Sequence, residues 1–104
     1  MFDNGPVKLL LTYNVLPETI QEYWQFVMGR YVPTMQAMGL QMFDAYQTTY
    51  GDAPNRLVMF VAADKETAQK VMNTETWETL NDQLLEFVTD FSYKLVPFRE
   101  KFQF

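Results

Sequence analysis

The sequence predicts an α+β domain in which a small antiparallel sheet carries helices on one of its faces. Three observations lead there. Trp77, Leu80, Leu84, Phe87 and Phe91 follow one another at alternating intervals of three and four, so a helix with one apolar stripe is expected over residues 74–91. Val7, Leu9, Leu11, Tyr13 and Val15 alternate with Lys8, Leu10, Thr12 and Asn14, which is strand periodicity. Two runs rich in aromatic and branched residues, 40–50 and 56–63, flank the turn formers Gly51-Asp52-Ala53-Pro54-Asn55 and read as a hairpin.

Taken in order, Gly5-Pro6 punctuates the chain before the first strand, Val7–Val15. Its second parity is only half polar, which is the pattern of a central strand touched from both sides. Pro17 and Glu18 suit the first turn of a helix. Ile20, Trp24, Val27, Tyr31, Met35 and Met38 then recur at helical spacing, with Tyr23 and Met28 beside them. Pro33 clashes with the carbonyl four residues back, that of Gly29, so a kink or break is expected at 29–33, and Gly39 is the expected stop. After the hairpin, Asp64 caps a helix over Lys65–Met72, and Asn73-Thr74 caps the next. A last strand is expected over 93–98, where Pro97 marks either an edge position or the strand's end.

The order strand, helix, strand, strand, helix, strand is the ferredoxin-like arrangement: a four-stranded antiparallel sheet with both helices on one face, here a single domain spanning 1–104. It leaves one face open. Yet the strands are apolar on both parities, Leu10 as well as Leu9 and Leu11, Met59 and Val61 as well as Val58 and Phe60. A second copy of the same sheet, in a two-fold homodimer, is the expected cover.

Composition excludes several classes of function. Among 104 residues there is neither cysteine nor histidine, so disulfides, thiolate nucleophiles, imidazole acid/base chemistry and Cys or His metal sites are all removed, and neither a cofactor nor a metal is expected. The net charge of -5, with Lys and Arg scattered singly, disfavours nucleic acid. MFDNGP lacks the basic and apolar segments of a signal peptide, and the longest apolar run, 57–63, is seven residues against the roughly 20 that span a bilayer. No membrane association and a cytoplasmic location are the expectation.

With these elements placed, the chain resembles the dimeric α/β-barrel superfamily, whose members include NIPSNAP-like and antibiotic-biosynthesis-monooxygenase-like families. The resemblance rests on Tyr50-Gly51-Asp52-Ala53-Pro54-Asn55-Arg56 between two strands, Leu57-Val58-Met59-Phe60 after it, and Thr74-Glu75-Thr76-Trp77 opening the later helix. It implies a sheet-to-sheet dimer with a small-molecule pocket between sheet and helices in each subunit. Haem-degrading members use an Asn, a Trp and a His, whose positions fall here at Asn14, near Val71 or Met72, and near Asn81; lacking histidine, this chain offers no axial haem ligand. Asn14 with Trp77 resembles part of the cofactor-independent monooxygenase pocket, which surrounds an oxidisable aromatic substrate.

Tyr13, Asn14, Asp44, Tyr46, Met72, Trp77 and Asn81 are therefore the candidate lining of a pocket for a small hydrophobic or aromatic molecule. Asn14, Asp44 and Tyr46 are the candidate catalytic residues, for oxidation or proton transfer. Each also has a structural reading. Trp24 and Trp77 lie on apolar stripes, as core residues do; Asn14 suits a turn; tyrosines such as Tyr13, Tyr46, Tyr50 and Tyr93 are favoured in strands. Asp44, between Phe43 and Ala45, is an acid or base if it points inward and merely solvated at an edge. Glu78, Asp82, Glu86 and Asp90 recur every four residues opposite the apolar stripe, a solvated face or, in a second reading of the protein as a non-catalytic interaction module, a docking face for a basic partner.

Overall fold

In the computed structural model the elements are β1 (Val7–Val15), α1 (Ile20–Phe26), α2 (Val32–Ala37), β2 (Gln41–Gln47), β3 (Arg56–Ala62), α3 (Lys65–Met72), α4 (Glu75–Leu84) and β4 (Val88–Pro97). The structure describes residues 5–47 and 55–98, so most of the expected hairpin turn, and the end of the expected strand before it with Tyr50, lie outside the described residues. The strands form one antiparallel sheet in the order β2-β3-β1-β4, the expected ferredoxin-like layout. β1 is central, as the sequence predicts, and β4 is an edge strand that ends at Pro97. Among the described residues no helix is long and apolar enough to cross a membrane.

The expected break near Pro33 takes the form of a π turn, Val27–Tyr31, that joins α1 to α2 without ending the helical path. Proline supplies no N–H to a regular ladder, and a widened turn accommodates its ring. That turn also corrects the expected stripe. Tyr23, Val27, Tyr31 and Met35 face the core, whereas Ile20 and Trp24 are turned outward, Trp24 being 43% exposed. Gly39 does end the helix, at φ 108°, with Leu40 N–H donating to Met35 O and Gly39 N–H to Gln36 O. That is the Schellman pattern, and Met35 and Leu40 at its two ends are both fully buried in the core.

Both later helices are capped as expected: Asp64 Oδ1 accepts from Thr67 N and Thr74 Oγ1 from Trp77 N. The bond from Thr67 holds the Asp64 carboxyl below its usual range. A second correction concerns the stripe over 74–91. The helix ends at Leu84, and β4 begins at Val88, earlier than expected. Pairing with β1 decides this, because Val88 and Thr89 sit opposite Val15 and Asn14, and Leu16 N–H donates to Phe87 O. Phe87 and Phe91 still reach the core, from a turn and a strand. Glu86 and Asp90 consequently leave the expected acidic helix face, which shrinks to Glu78 and Asp82.

One core fills the helix side of the sheet. It takes Leu9, Leu11 and Tyr13 from β1, Val58 and Phe60 from β3, and Trp77, Leu80 and Leu84 from α4. The opposite face is open. Leu10, Leu57, Met59 and Val61 lie there half-buried beside Thr12, Lys8 and Lys94, with Phe43 and Tyr46 exposed at the β2 edge. Two shallow grooves cross it, of about 400 Å³ along Leu10, Thr12, Leu57, Ser92 and Lys94, and about 340 Å³ along Gln41, Phe43, Val61 and Phe98.

Candidate functional site

A polar arrangement inside the apolar core stands where β1 ends, β3 begins and α1 crosses them. Tyr13 and Arg56 are register partners on the helix side of the sheet, and α1 lowers Tyr23 onto both. The two phenol oxygens lie 2.7 Å apart, with the rings edge to face at 5.9 Å. Phe91 closes the far side of Tyr13, its ring 6.2 Å away.

Arg56 is 8% exposed, yet its Nε has no hydrogen-bond partner. The guanidinium lies 4.8 Å from the Trp24 ring centroid and 5.6 Å from that of Tyr23. Such stacking contributes about 0.5–2 kcal/mol per ring, less than it costs to bury a guanidinium unpaired. None of the carboxylates of the described residues forms an ion pair with Arg56, so none offsets its charge directly.

Burial pushes the phenols of Tyr13, Tyr23 and Tyr31 above their usual range. At Tyr13 the neighbouring Tyr23 adds to the rise, and at Tyr23 the bond with Tyr13 and the charge of Arg56 partly offset it. These hydroxyls therefore remain protonated at neutral pH. The Tyr31 proton is already given to Asn81, so it is the Tyr13–Tyr23 pair that can donate a hydrogen bond to a ligand, and neither phenol is a ready base.

The seven expected lining residues do not share one pocket. Tyr13, Met72, Trp77 and Asn81 are on the helix side, whereas Asn14, Asp44 and Tyr46 belong to the open face. The physical reason is strand parity: Asn14 has the parity of Leu10 and Thr12, and a register shift between Met42 and Asp44 sets Asp44 and Tyr46 opposite Met59 and Leu57. Trp77 is a core residue, edge to face with Tyr93 at 5.4 Å, and Asn81 Oδ1 accepts the buried Tyr31 hydroxyl at 2.7 Å.

Asn14 is engaged at both ends of its carboxamide. Its Nδ2 donates to Asp90 Oδ2 at 2.9 Å and its Oδ1 accepts from Asn55 N at 2.8 Å. That is the turn-stabilising role weighed from the sequence. Asp44 lies at the β2 bulge, accepting from the Tyr46 hydroxyl and from Ala45 N, and its carboxylate raises the Tyr46 phenol. Neither is held in an inward pocket.

Tyr23, Trp24 and Arg56 were not among the expected lining residues, Trp24 being read from the sequence as a stripe residue of the core. A signal existed for Arg56, which shares parity with Val58, Phe60 and Ala62 and so puts a cation on the buried face. Tyr23 lay beside the expected stripe, and only the π turn selects it over Trp24.

Solved structures with the same architecture span several families. A NIPSNAP family protein from Agrobacterium tumefaciens matches at TM-score 0.65 and 13% identity, over 96% of this chain and 91% of that one. A protein from Nitrosomonas europaea assigned as an antibiotic biosynthesis monooxygenase matches at 0.69 and 13%, over 96% of each chain. The chain has the NIPSNAP and antibiotic-biosynthesis-monooxygenase fold. An ethyl tert-butyl ether d family protein from Bacillus halodurans is also similar to it, at 0.67 and 16% over 90% of this chain and 99% of that one. No family model and no curated protein matches the sequence. The NIPSNAP and monooxygenase likeness is thus one of fold, and function has to be argued from the site.

Proposed function

We propose that the protein is a small-molecule-binding homodimer. Two copies meet through their open sheet faces, and each holds a small aromatic or otherwise hydrophobic molecule on its helix side, against Trp24, Tyr23 and Tyr13. The observation that supports it best is the partition of the sheet, whose two faces are both apolar while helices cover one. Cover by a second copy lets Phe43, Tyr46 and Phe98 fill the facing grooves and leaves the helix side free for a ligand. The half-exposed Trp24 beside a buried phenol pair then offers an apolar wall with hydroxyl donors behind it.

The reading is of binding. Protonated phenols orient a ligand without removing a proton from it. The name of the Nitrosomonas relative extends it only so far as to make an oxidisable aromatic a sensible ligand to try. Light scattering should give twice the 12.3 kDa chain mass, and titration with naphthalene derivatives should quench tryptophan fluorescence in a saturable way. A monomer at high micromolar concentration, or quenching that never saturates, would defeat the corresponding half.

A further inference from the structure

We infer that the molecule held on the helix side is an aromatic carboxylate, its carboxyl oxygens received by the Nε–H of Arg56 and by a phenolic O–H of the Tyr13–Tyr23 pair. The inference rests on the ligand half of the proposed function and names its class; it does not depend on the dimer.

Its first support is the guanidinium. Arg56 is more than nine-tenths buried, its Nε–H is unpartnered, and no carboxylate of the described residues forms an ion pair with it. Buried cations are paired as a rule, so a guanidinium whose Nε–H is left over, stacked on the Tyr23 and Trp24 rings and beside its register partner Tyr13, marks a place for an anion. The second support is a proton count. Two phenol oxygens share one hydrogen bond, so whichever of them donates, the other keeps a proton with no acceptor among the described residues. The site thus offers two uncommitted donors, one of them on a cation.

The walls select the rest. Tyr23, Trp24, Tyr13 and Phe91 are flat and apolar, and a single arginine matches one planar, singly charged acceptor better than a dianion. Trp24 now covers the guanidinium from the solvent side, and its own exposure leaves it room to swing outward and lie on the ligand ring. Guanidinium stacked on an aromatic face and bonded in its plane to a carboxylate uses both recognition modes of arginine together.

The test compares 2-naphthoate with 2-naphthamide, alike in shape and different in charge, on the wild-type protein. Tryptophan fluorescence reads affinity, and the arginine Nε–H resonances in a ¹H–¹⁵N spectrum read the contact, that of Arg56 being the one lost in Arg56→Lys. The expected result is naphthoate binding at least about tenfold tighter than the amide, with a downfield shift of the Arg56 Nε–H, and loss of the preference in Arg56→Met. Equal binding of acid and amide with that resonance unmoved overturns the carboxylate assignment and leaves the ligand site standing. Binding of neither overturns both. Inorganic phosphate moving the resonance as strongly as naphthoate overturns the assignment in favour of a phosphate group. Should Arg56→Met fail to fold, the wild-type comparison and the Nε–H shift still decide.

Discussion

The Tyr31 hydroxyl donates to Asn81 Oδ1 across 2.7 Å, joining the π turn to α4 over a sequence separation of 50 residues. Both groups are buried, and Tyr31 also packs against Phe60 and Phe26. Asn81→Ala strands a buried phenol and should cost about 1–3 kcal/mol in urea unfolding. The pair Tyr31→Phe with Asn81→Leu should cost less than the sum of the single changes, because no polar group is then left alone. Strict additivity would show that the bond does not hold the turn.

Alkali should unfold the protein early. The phenols of Tyr13 and Tyr31 are raised above the usual 10.0 by burial, while in the unfolded chain they ionise near that value. Above pH 10 the folded state therefore holds more protons than the unfolded one. Stability is fully present below pH 10 and falls as pH rises, by about 1.4 kcal/mol per pH unit for each such phenol. Denaturation midpoints at pH 8, 10 and 11 check the slope, and Tyr31→Phe should flatten it. A midpoint unchanged across that range would refute the assignment.

Asp90 has φ 57°, the one described non-glycine residue at positive φ, and its carboxylate receives Asn14. Two effects are separable there. Asp90→Ala loses the hydrogen bond and keeps the left-handed backbone, at a cost of about 2–3 kcal/mol. Asp90→Gly loses only the bond and should be the milder change by about 1 kcal/mol. The reverse order in thermal melts would mean that the bulge relaxes freely.

Leu57 sits on the open face, paired across strands with Thr12 and Tyr46. In the proposed dimer Leu57→Glu places two carboxylates in an apolar interface, which should weaken association by on the order of a thousandfold, about 4 kcal/mol. Sedimentation should then show monomer with an unchanged circular dichroism spectrum, since the helix-side core is untouched. A Leu57→Glu protein that still sediments as dimer would place the interface elsewhere.

Much of this molecule was legible along the chain because its signals are local. Two-residue alternation defines β1 and β3, Asp64 and Thr74 bond to amides three residues on, and Gly39 takes a conformation denied to other residues. From those follow the element order, the sheet and the surplus apolar face. What only the tertiary structure decided is which of two equally apolar neighbours turns inward and where an apolar stripe changes from helix to strand. Tyr23 displaces Trp24 through a π turn that no spacing rule encodes, and Phe91 leaves the helix because β1 offers it a partner strand. The site follows the same division. Arg56 could be placed on the buried parity from the sequence, but its want of a partner depends on what α1 and β1 bring to it, and those contacts are set by packing between segments far apart in the chain.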